Sequence, residues 1–356
     1  MRSDTSSSQS HRASVIVVNY NGGEKLIGCL ASVVPSLPGD CELIVVDNAS
    51  TDRSADEAAT RFPGLVILRS PTNVGFGAGC NLGVRGSTGR YLAFLNPDTT
   101  VEPGWLEALV DTLESEPDVG LVTSMILQAD DRDRISACGN RIHISGLALG
   151  HKMGRRREEF PLPEVVDAVS GAAFAMRRDL FDQLGGFDED FFLYLEDTDL
   201  SWRARLAGKR CLCQPASVVY HDYTFRLGPR KIFYQERNRY VMLLKCLRRG
   251  TLIVLVPVFL LAEILTWGFA LLRDRPRPRN KIDAYAWVVR NRRGIRDKRR
   301  EVQSRRLASD RSVLRTAGHR LDYGQVAGGM IATFARLVFD PLFFVLRAIA
   351  VTLVRW

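Results

Sequence analysis

Short apolar, β-branched runs alternate with amphipathic stretches over the first hundred residues, and this rhythm predicts a parallel sheet covered by helices on both faces. Residues 14–19 (SVIVVN) form the first run and end in the polar turn Tyr20-Asn21-Gly22-Gly23, after which residues 24–34 carry a helical pattern. Residues 42–47 (ELIVVD) read as a second strand, apolar throughout as a buried parallel strand is, and a helix follows to Arg61. Residues 65–68 and 91–95 give a third and fourth strand, with a helix between them starting near Gly77. The fold class expected is α/β, a mostly parallel, doubly wound sheet, and ligands of such sheets bind at the carboxyl ends of the strands.

The pattern changes at residues 185–205, GGFDEDFFLYLEDTDLSWRAR. Five aromatics here surround Glu196, Asp197 and Asp199. A carboxylate among aromatics is partly desolvated, which raises its pKa and suits a general base. The plainer reading is an acidic loop entering a helix, with Asp197 or Asp199 as N-cap and Leu200, Arg203 and Leu206 at helical spacing. A further strand, residues 216–220, ends at His221. A lone histidine is structural or a metal ligand, and both readings stay open.

A second kind of pattern begins at residue 251. Residues 251–272 are apolar except for Glu263 and are interrupted by Pro257, a length that reaches across a bilayer. Basic residues flank the run on both sides: Lys245, Arg248 and Arg249, then Arg273, Arg275, Arg277 and Arg279. A single crossing would place the basic segment outside, against the positive-inside rule, so a re-entrant or in-plane helix is preferred. Residues 283–320 read as basic amphipathic helices with Trp287 at the interface. Residues 326–356, interrupted by Arg336, Asp340, Pro341 and Arg347, read as membrane-surface helices. The alternative is that the two apolar stretches pack against each other as a helical domain.

Charge sharpens this division. The formal net charge is +9, but residues 273–327 alone hold 17 Lys and Arg against 6 Asp and Glu, leaving the rest close to neutral. That excludes a generally basic nucleic-acid-binding surface and favours a local one facing an anionic membrane. The boundaries expected are a disordered Ser-rich tail over 1–12, a catalytic domain over 13–247 and a helical, membrane-associated region over 248–356. Seven cysteines without paired spacing or a secretory signal suggest a reducing setting, with Cys211 and Cys213 as same-facing residues of a buried strand.

The candidate chemistry lies at the strand ends: Asn19 and Asn21 after the first, Asp47, Asn48 and Asp52 after the second, Asn96 and Asp98 after the fourth. Asp47 suits hydrogen bonds from a base or ribose. Asn73, Gly75 and Asn81 bracket a glycine-rich helix start suited to phosphate. Asp98 is a hard oxygen ligand for a cation bridging a diphosphate. A dinucleotide fingerprint belongs after the first strand rather than the third, which sets an oxidoreductase aside.

VIVVNYNG, VVDNASTD, NVGFGAGCN, LNPDT, SGAAFAMRR and GGFDEDFFLYLEDTDLSWR resemble, in order and spacing, the family 2 glycosyltransferases of GT-A fold, and within them the rhamnosyltransferase-like branch. The resemblance covers residues 13–245. It implies that Asp47 contacts the base with Asn48 and Asp52 beside it, and that Asn96-Pro97-Asp98 stands for the metal-binding DxD, so Asp98 and His221 are the ligands for Mg2+ or Mn2+. It makes Asp197 the base, Glu196 its partner at the acceptor hydroxyl, and Gly171 and Ala172 part of the sugar pocket. Tyr194, Arg237 and Arg239 are candidates for the acceptor or leaving diphosphate, although a solvated helix face explains the arginines equally well. The function implied is an inverting transfer from a nucleotide-diphosphate sugar, dTDP-rhamnose being one such donor, to a lipid-linked saccharide at the cytoplasmic membrane face, in cell-surface polysaccharide synthesis. The alternatives are a non-catalytic membrane scaffold and a polymerising synthase; the latter calls for a Gln-x-x-Arg-Trp motif that is missing.

Overall fold

Alternation within the apolar runs sends Val15 and Val17 to one face of the sheet and Ile16 and Val18 to the other, all of them buried. Both faces therefore need cover, and helices supply it. The computed structural model describes residues 11–222, 230–273, 278–323 and 329–356. The N-terminal half runs β1 (Ala13–Asn19), α1 (Gly23–Val33), β2 (Glu42–Asp47), α2 (Ser54–Arg61), β3 (Val66–Arg69), α3 (Phe76–Arg85) and β4 (Tyr91–Leu95). Strands β3, β2, β1 and β4 are neighbours in that order and all parallel, with Asn19 level with Asp47. The register brings the chemistry of β1 and β2 to one edge.

Beyond β4 the sheet is mixed, which corrects the expectation of a mostly parallel one. The chain continues through β5 (Thr99–Val101), α4 (Trp105–Ser115), β6 (Val119–Gln128), β7 (Ile135–Ala137), β8 (Asn140–Ile142), β9 (Ala148–Gly150) and β10 (Glu164–Val166). It then forms β11 (Ala173–Arg177), α5 (Arg178–Leu184), α6 (Glu196–Leu206) and β12 (Arg210–His221). Strand β11 is antiparallel to both β4 and β6, while β12 is parallel to β6. The chain leaves β6 at the carboxyl ends of the parallel strands, and the excursion through β7–β10 returns it at that same end, so β11 enters reversed. Residues 170–172, immediately before it, consequently reach the carboxyl end of β4, where Asn96 N–H donates to Ala172 O at 2.9 Å.

Cys211 and Cys213 share the core face of β12 as expected, but Cys213 is bridged to Cys138, with Cα atoms 5.7 Å apart. The expectation of unpaired thiols fails there because a 75-residue separation leaves no spacing signal.

The C-terminal region is α7 (Lys231–Cys246), α8 (Arg249–Val254), α9 (Val256–Arg273), α10 (Arg279–Arg290), α11 (Arg292–Ser304), α12 (Asp310–Thr316) and α13 (Gly329–Leu353). The apolar run 251–272 is divided between α8 and α9, and α13 contains Pro341. No helix among the described residues is long and apolar enough to cross a membrane. Instead α9 and α13 share a third core with α6, α7 and α12 through Trp202, Leu243, Val258, Ala262, Ala335 and Phe343. Both helices still expose large apolar side chains, among them Leu260, Ile264, Phe334, Leu337 and Phe344. The tail up to residue 10, Arg275 and Arg277 of the basic flank, and residues 326–328 of the second apolar stretch lie outside the described residues.

Candidate active site

Four strand ends lie at the same edge of the sheet. Asp47, nearly buried at the end of β2, accepts Ser50 N–H at 3.2 Å and Arg69 Nη1 at 3.1 Å. Asp52 accepts Gly23 N–H at 2.9 Å and the Ser54 hydroxyl at 2.7 Å; against the upward push of burial, these bonds hold its carboxyl below the usual range. Asn21, at φ 53°, accepts Thr51 N–H at 2.7 Å. Asn19 is fully buried, and its amide donates to Ser50 and Ser54 while its carbonyl oxygen accepts Gly22 N–H at 3.1 Å. Asn19 thus ties the first two loops together rather than facing a ligand.

The glycine-rich loop is used differently from the expectation. The amides of Val74 and Gly75 donate to Asn48 and Asn73, and Phe76 N–H donates to Phe192 O at 2.7 Å. These three donors are therefore already engaged within the protein. Gly75 has φ +88°, and a Cβ there would stand 2.3 Å from Phe192 O. Glycine is required because the loop before the acidic pair packs against it. Asn81 is also structural: its side chain bonds both backbone groups of Phe187.

Asp197 sits in the first turn of α6, whose N-cap is Leu195 rather than either expected aspartate. The cause is the loop ahead of it. Phe192, Tyr194 and Leu195 all have positive φ, between 60° and 69°, a conformation that costs a non-glycine residue about 1–3 kcal/mol and persists only where neighbours impose it. Asn238 imposes it: its Nδ2 lies 3.0, 2.9 and 2.7 Å from the carbonyl oxygens of Phe191, Leu193 and Tyr194. Arg237 donates to the carbonyls of Asp190 and Phe191. Arg237 is thus a clamp on this loop, and Arg239 is wholly buried and paired with Glu236 at 2.7 Å and Glu263 at 2.6 Å. Neither arginine is left for a diphosphate, which corrects that assignment. The ring of Tyr194, by contrast, stays partly exposed at the cleft, with the Lys231 ammonium 5.3 Å from its centre.

One oxygen of Asp197 accepts Gly171 N–H at 2.7 Å and approaches Asn140 Nδ2 at 3.4 Å; the other accepts Thr198 N–H at 2.6 Å. Gly171 therefore serves the carboxylate directly, and a Cβ there would come within 3.2 Å of it. Burial raises the Asp197 pKa in spite of these donors. Glu196 is pushed up to about 8 by burial and then by the charges of Asp197 and Asp199. Its Oε2 is buried with no hydrogen-bond partner among the described residues, and its Cβ faces the packing position of Gly77. Asn140 escaped the sequence reading because it lies far from Asp197 in the chain, and Asn238, read together with Arg237 and Arg239 as a candidate for phosphates, bonds the loop carbonyls instead.

Asp98 faces His221, with Oδ1 to Nε2 at 3.2 Å, and Asp222 N–H donates to Asp98 O at 3.0 Å. Burial pushes the Asp98 carboxyl up, but the bond and charge of His221 bring it below its ordinary value. The Asn96–Ala172 bond links this pair to Gly171, and through it to Asp197. Among the described residues no three His, Cys, Asp or Glu side chains could hold a metal ion. A carboxylate oxygen with an imidazole nitrogen fits a divalent cation that takes its remaining ligands from a substrate.

The family Glycosyl transferase family 2 matches residues 14–185. An N-acetylglucosaminyl-diphospho-decaprenol L-rhamnosyltransferase of Mycobacterium tuberculosis (strain ATCC 25618 / H37Rv) is 31% identical over 236 residues, spanning 60% of this chain and 77% of the relative. A pre-mycofactocin glycosyltransferase of the same strain is 32% identical over 232 residues, 64% of this chain and 47% of the relative. Among solved structures, S. aureus TarS 1-349 superposes with a TM-score of 0.55 at 16% identity, over 96% of this chain and 88% of that one. That likeness concerns the fold alone, and it extends through the C-terminal helices.

Proposed function

The chain belongs to the family 2 glycosyltransferases and is a transferase rather than a scaffold, and from that premise we propose that it moves a sugar from a nucleotide-diphosphate donor to a lipid-linked saccharide with inversion. The carrying observation is Asp197, a partly desolvated carboxylate held by Gly171 N–H and joined through Ala172 and Asn96 to the Asp98–His221 pair. Asp197 takes the proton of the acceptor hydroxyl as its oxygen forms a bond to the anomeric carbon. The bond from that carbon to the diphosphate breaks, and the nucleoside diphosphate departs with the electron pair. Asp47 and Asp52 bind the nucleoside, and the partly exposed ring of Tyr194 borders the acceptor. Asp98 and His221 would hold Mg2+ or Mn2+, and the chemistry supplied there is neutralisation of charge on the leaving group.

The donor is dTDP-rhamnose and the acceptor an N-acetylglucosaminyl-diphospho-polyprenol, a reading supported by the relative's name. The exposed apolar side chains of α9 and α13, together with the basic sequence of α11, support work at the cytoplasmic membrane surface. Incubation with dTDP-, UDP- and GDP-sugars and that acceptor, read by product mass, tests both assignments. A rhamnosylated lipid formed only with dTDP-rhamnose and a divalent cation is expected. Products on soluble saccharides alone would remove the lipid-linked reading.

A further inference from the structure

A cavity of about 570 Å³ lies outside the catalytic cleft, enclosed by α7, α9, α13 and the chain around β9. Its walls are largely apolar, including Leu149, Leu265, Phe269 and Phe339. At one place the wall is Leu195, the residue that caps α6 two positions before Asp197. At another it is Ile264 and Phe334, themselves 64% and 66% exposed on the apolar faces of α9 and α13. The cavity therefore joins the neighbourhood of the acidic pair to the apolar outer surface.

Its charged lining is not an anion site. Arg239 and Lys281 are both bound to Glu236, at 2.7 and 3.1 Å, and both also pair with Glu263. With these charges satisfied internally, what the cavity offers a ligand is apolar wall, and at this size it suits a chain rather than a headgroup. Gly268 of α9 adds to the space: a Cβ there would meet nothing within 4 Å. A glycine inside a helix sacrifices helix stability, and no backbone contact at this position calls for it.

We propose that this cavity receives the first isoprene units of a polyprenyl diphosphate-linked acceptor, holding the lipid so that its sugar reaches Asp197 while the remaining chain passes out between α9 and α13. The proposal rests on the lipid-linked acceptor reading and deepens it. A substrate that must present one end at Asp197 and keep the other among apolar groups matches the two walls the cavity joins. An acyl lipid or a helix of a second copy has no need of the Leu195 end.

The test is photolabelling of the full chain in detergent with a benzophenone-tagged farnesyl phosphate, mapped by mass spectrometry. Cross-links are expected in residues 256–273 and 329–339, competed by farnesyl phosphate and not by palmitate. Gly268→Phe should reduce labelling at least 10-fold while melting temperature and nucleotide binding stay as in the parent. If that variant fails to fold, Gly268→Leu and Ala335→Leu fill the same space more gently and carry the same expectation. Undiminished labelling in folded variants, cross-links elsewhere, equal competition by palmitate, or a dimer that occludes the probe would each overturn the proposal. Transfer to farnesyl-diphospho-N-acetylglucosamine, assayed in parallel, separates the two readings. Turnover that ignores Gly268→Phe sinks the cavity assignment alone. Cavity labelling without any transfer to lipid acceptors sinks the functional reading instead.

Discussion

At the ends of β1, β2 and β4 the buried polar groups are mostly neutral amides and hydroxyls, such as Asn19, Asn48 and Ser54, with Asp47 paired to the half-exposed Arg69, while the carboxylates of Asp98 and Asp197 keep some exposure. Between α7, α9 and α10 the arrangement is reversed. Arg239 and Lys281 are completely buried, and Glu263 receives both together with the hydroxyls of Tyr240 and Tyr285. On the function proposed above, charge serves ligands in the first region, whereas it holds helices together in the second. A basic side chain near a nucleotide site is therefore no sign of a phosphate contact until its burial and partners are known.

The contrast breaks most sharply at Glu263. Glu263→Leu leaves two buried cations short of a partner, and loss of one member of such a cluster costs about 3–5 kcal/mol; chemical denaturation should show a loss of that order. Burial works against the charge of Glu263, yet Tyr240, Tyr285, Lys281 and Arg239 hold its pKa down to about 2. Its contribution is therefore present above the usual carboxylate pKa and lost as pH falls through that value toward 2. Glu263→Gln should remove this acid dependence.

Asn238→Ala comes next. Two N–H donors shared among three carbonyls, at about 1 kcal/mol each, give a loss of about 2 kcal/mol, with faster hydrogen exchange in residues 192–195 and slower turnover. Unchanged exchange there would mean that Phe192, Tyr194 and Leu195 keep their conformation without the clamp. The smallest effect is expected from Glu196→Gln. Glu196 has its folded pKa raised to about 8, so the folded state binds the extra proton and parent stability falls as pH rises from the ordinary carboxylate range through 8. Gln should flatten this slope in melting temperature, and an equal slope in both proteins would show that Glu196 ionises freely.

The first four strands and their ends were legible because parallel, twice-covered strands are written as unbroken apolar runs, and Asp47 closes a strand, Asp98 lies just past one and Asp197 stands in a helix start. The reversal of β11 was not legible, since it depends on where the β7–β10 excursion returns. The partners of Glu263 were not legible for a physical reason: one charge in an apolar run has the same appearance whether the helix meets lipid or a buried guanidinium. The roles of Asn140 and Asn238 were hidden because an asparagine that bonds a carboxylate or three carbonyls 44 or more residues away leaves no local pattern.

Asp197→Asn tests the central assignment most directly, with donor binding measured by calorimetry and transfer measured on the same preparation. Donor affinity should stay within about threefold, and transfer should fall by about 10²–10⁴, the range a general base supplies. Turnover near the parent rate in a folded, donor-binding variant would show that another group takes the acceptor proton.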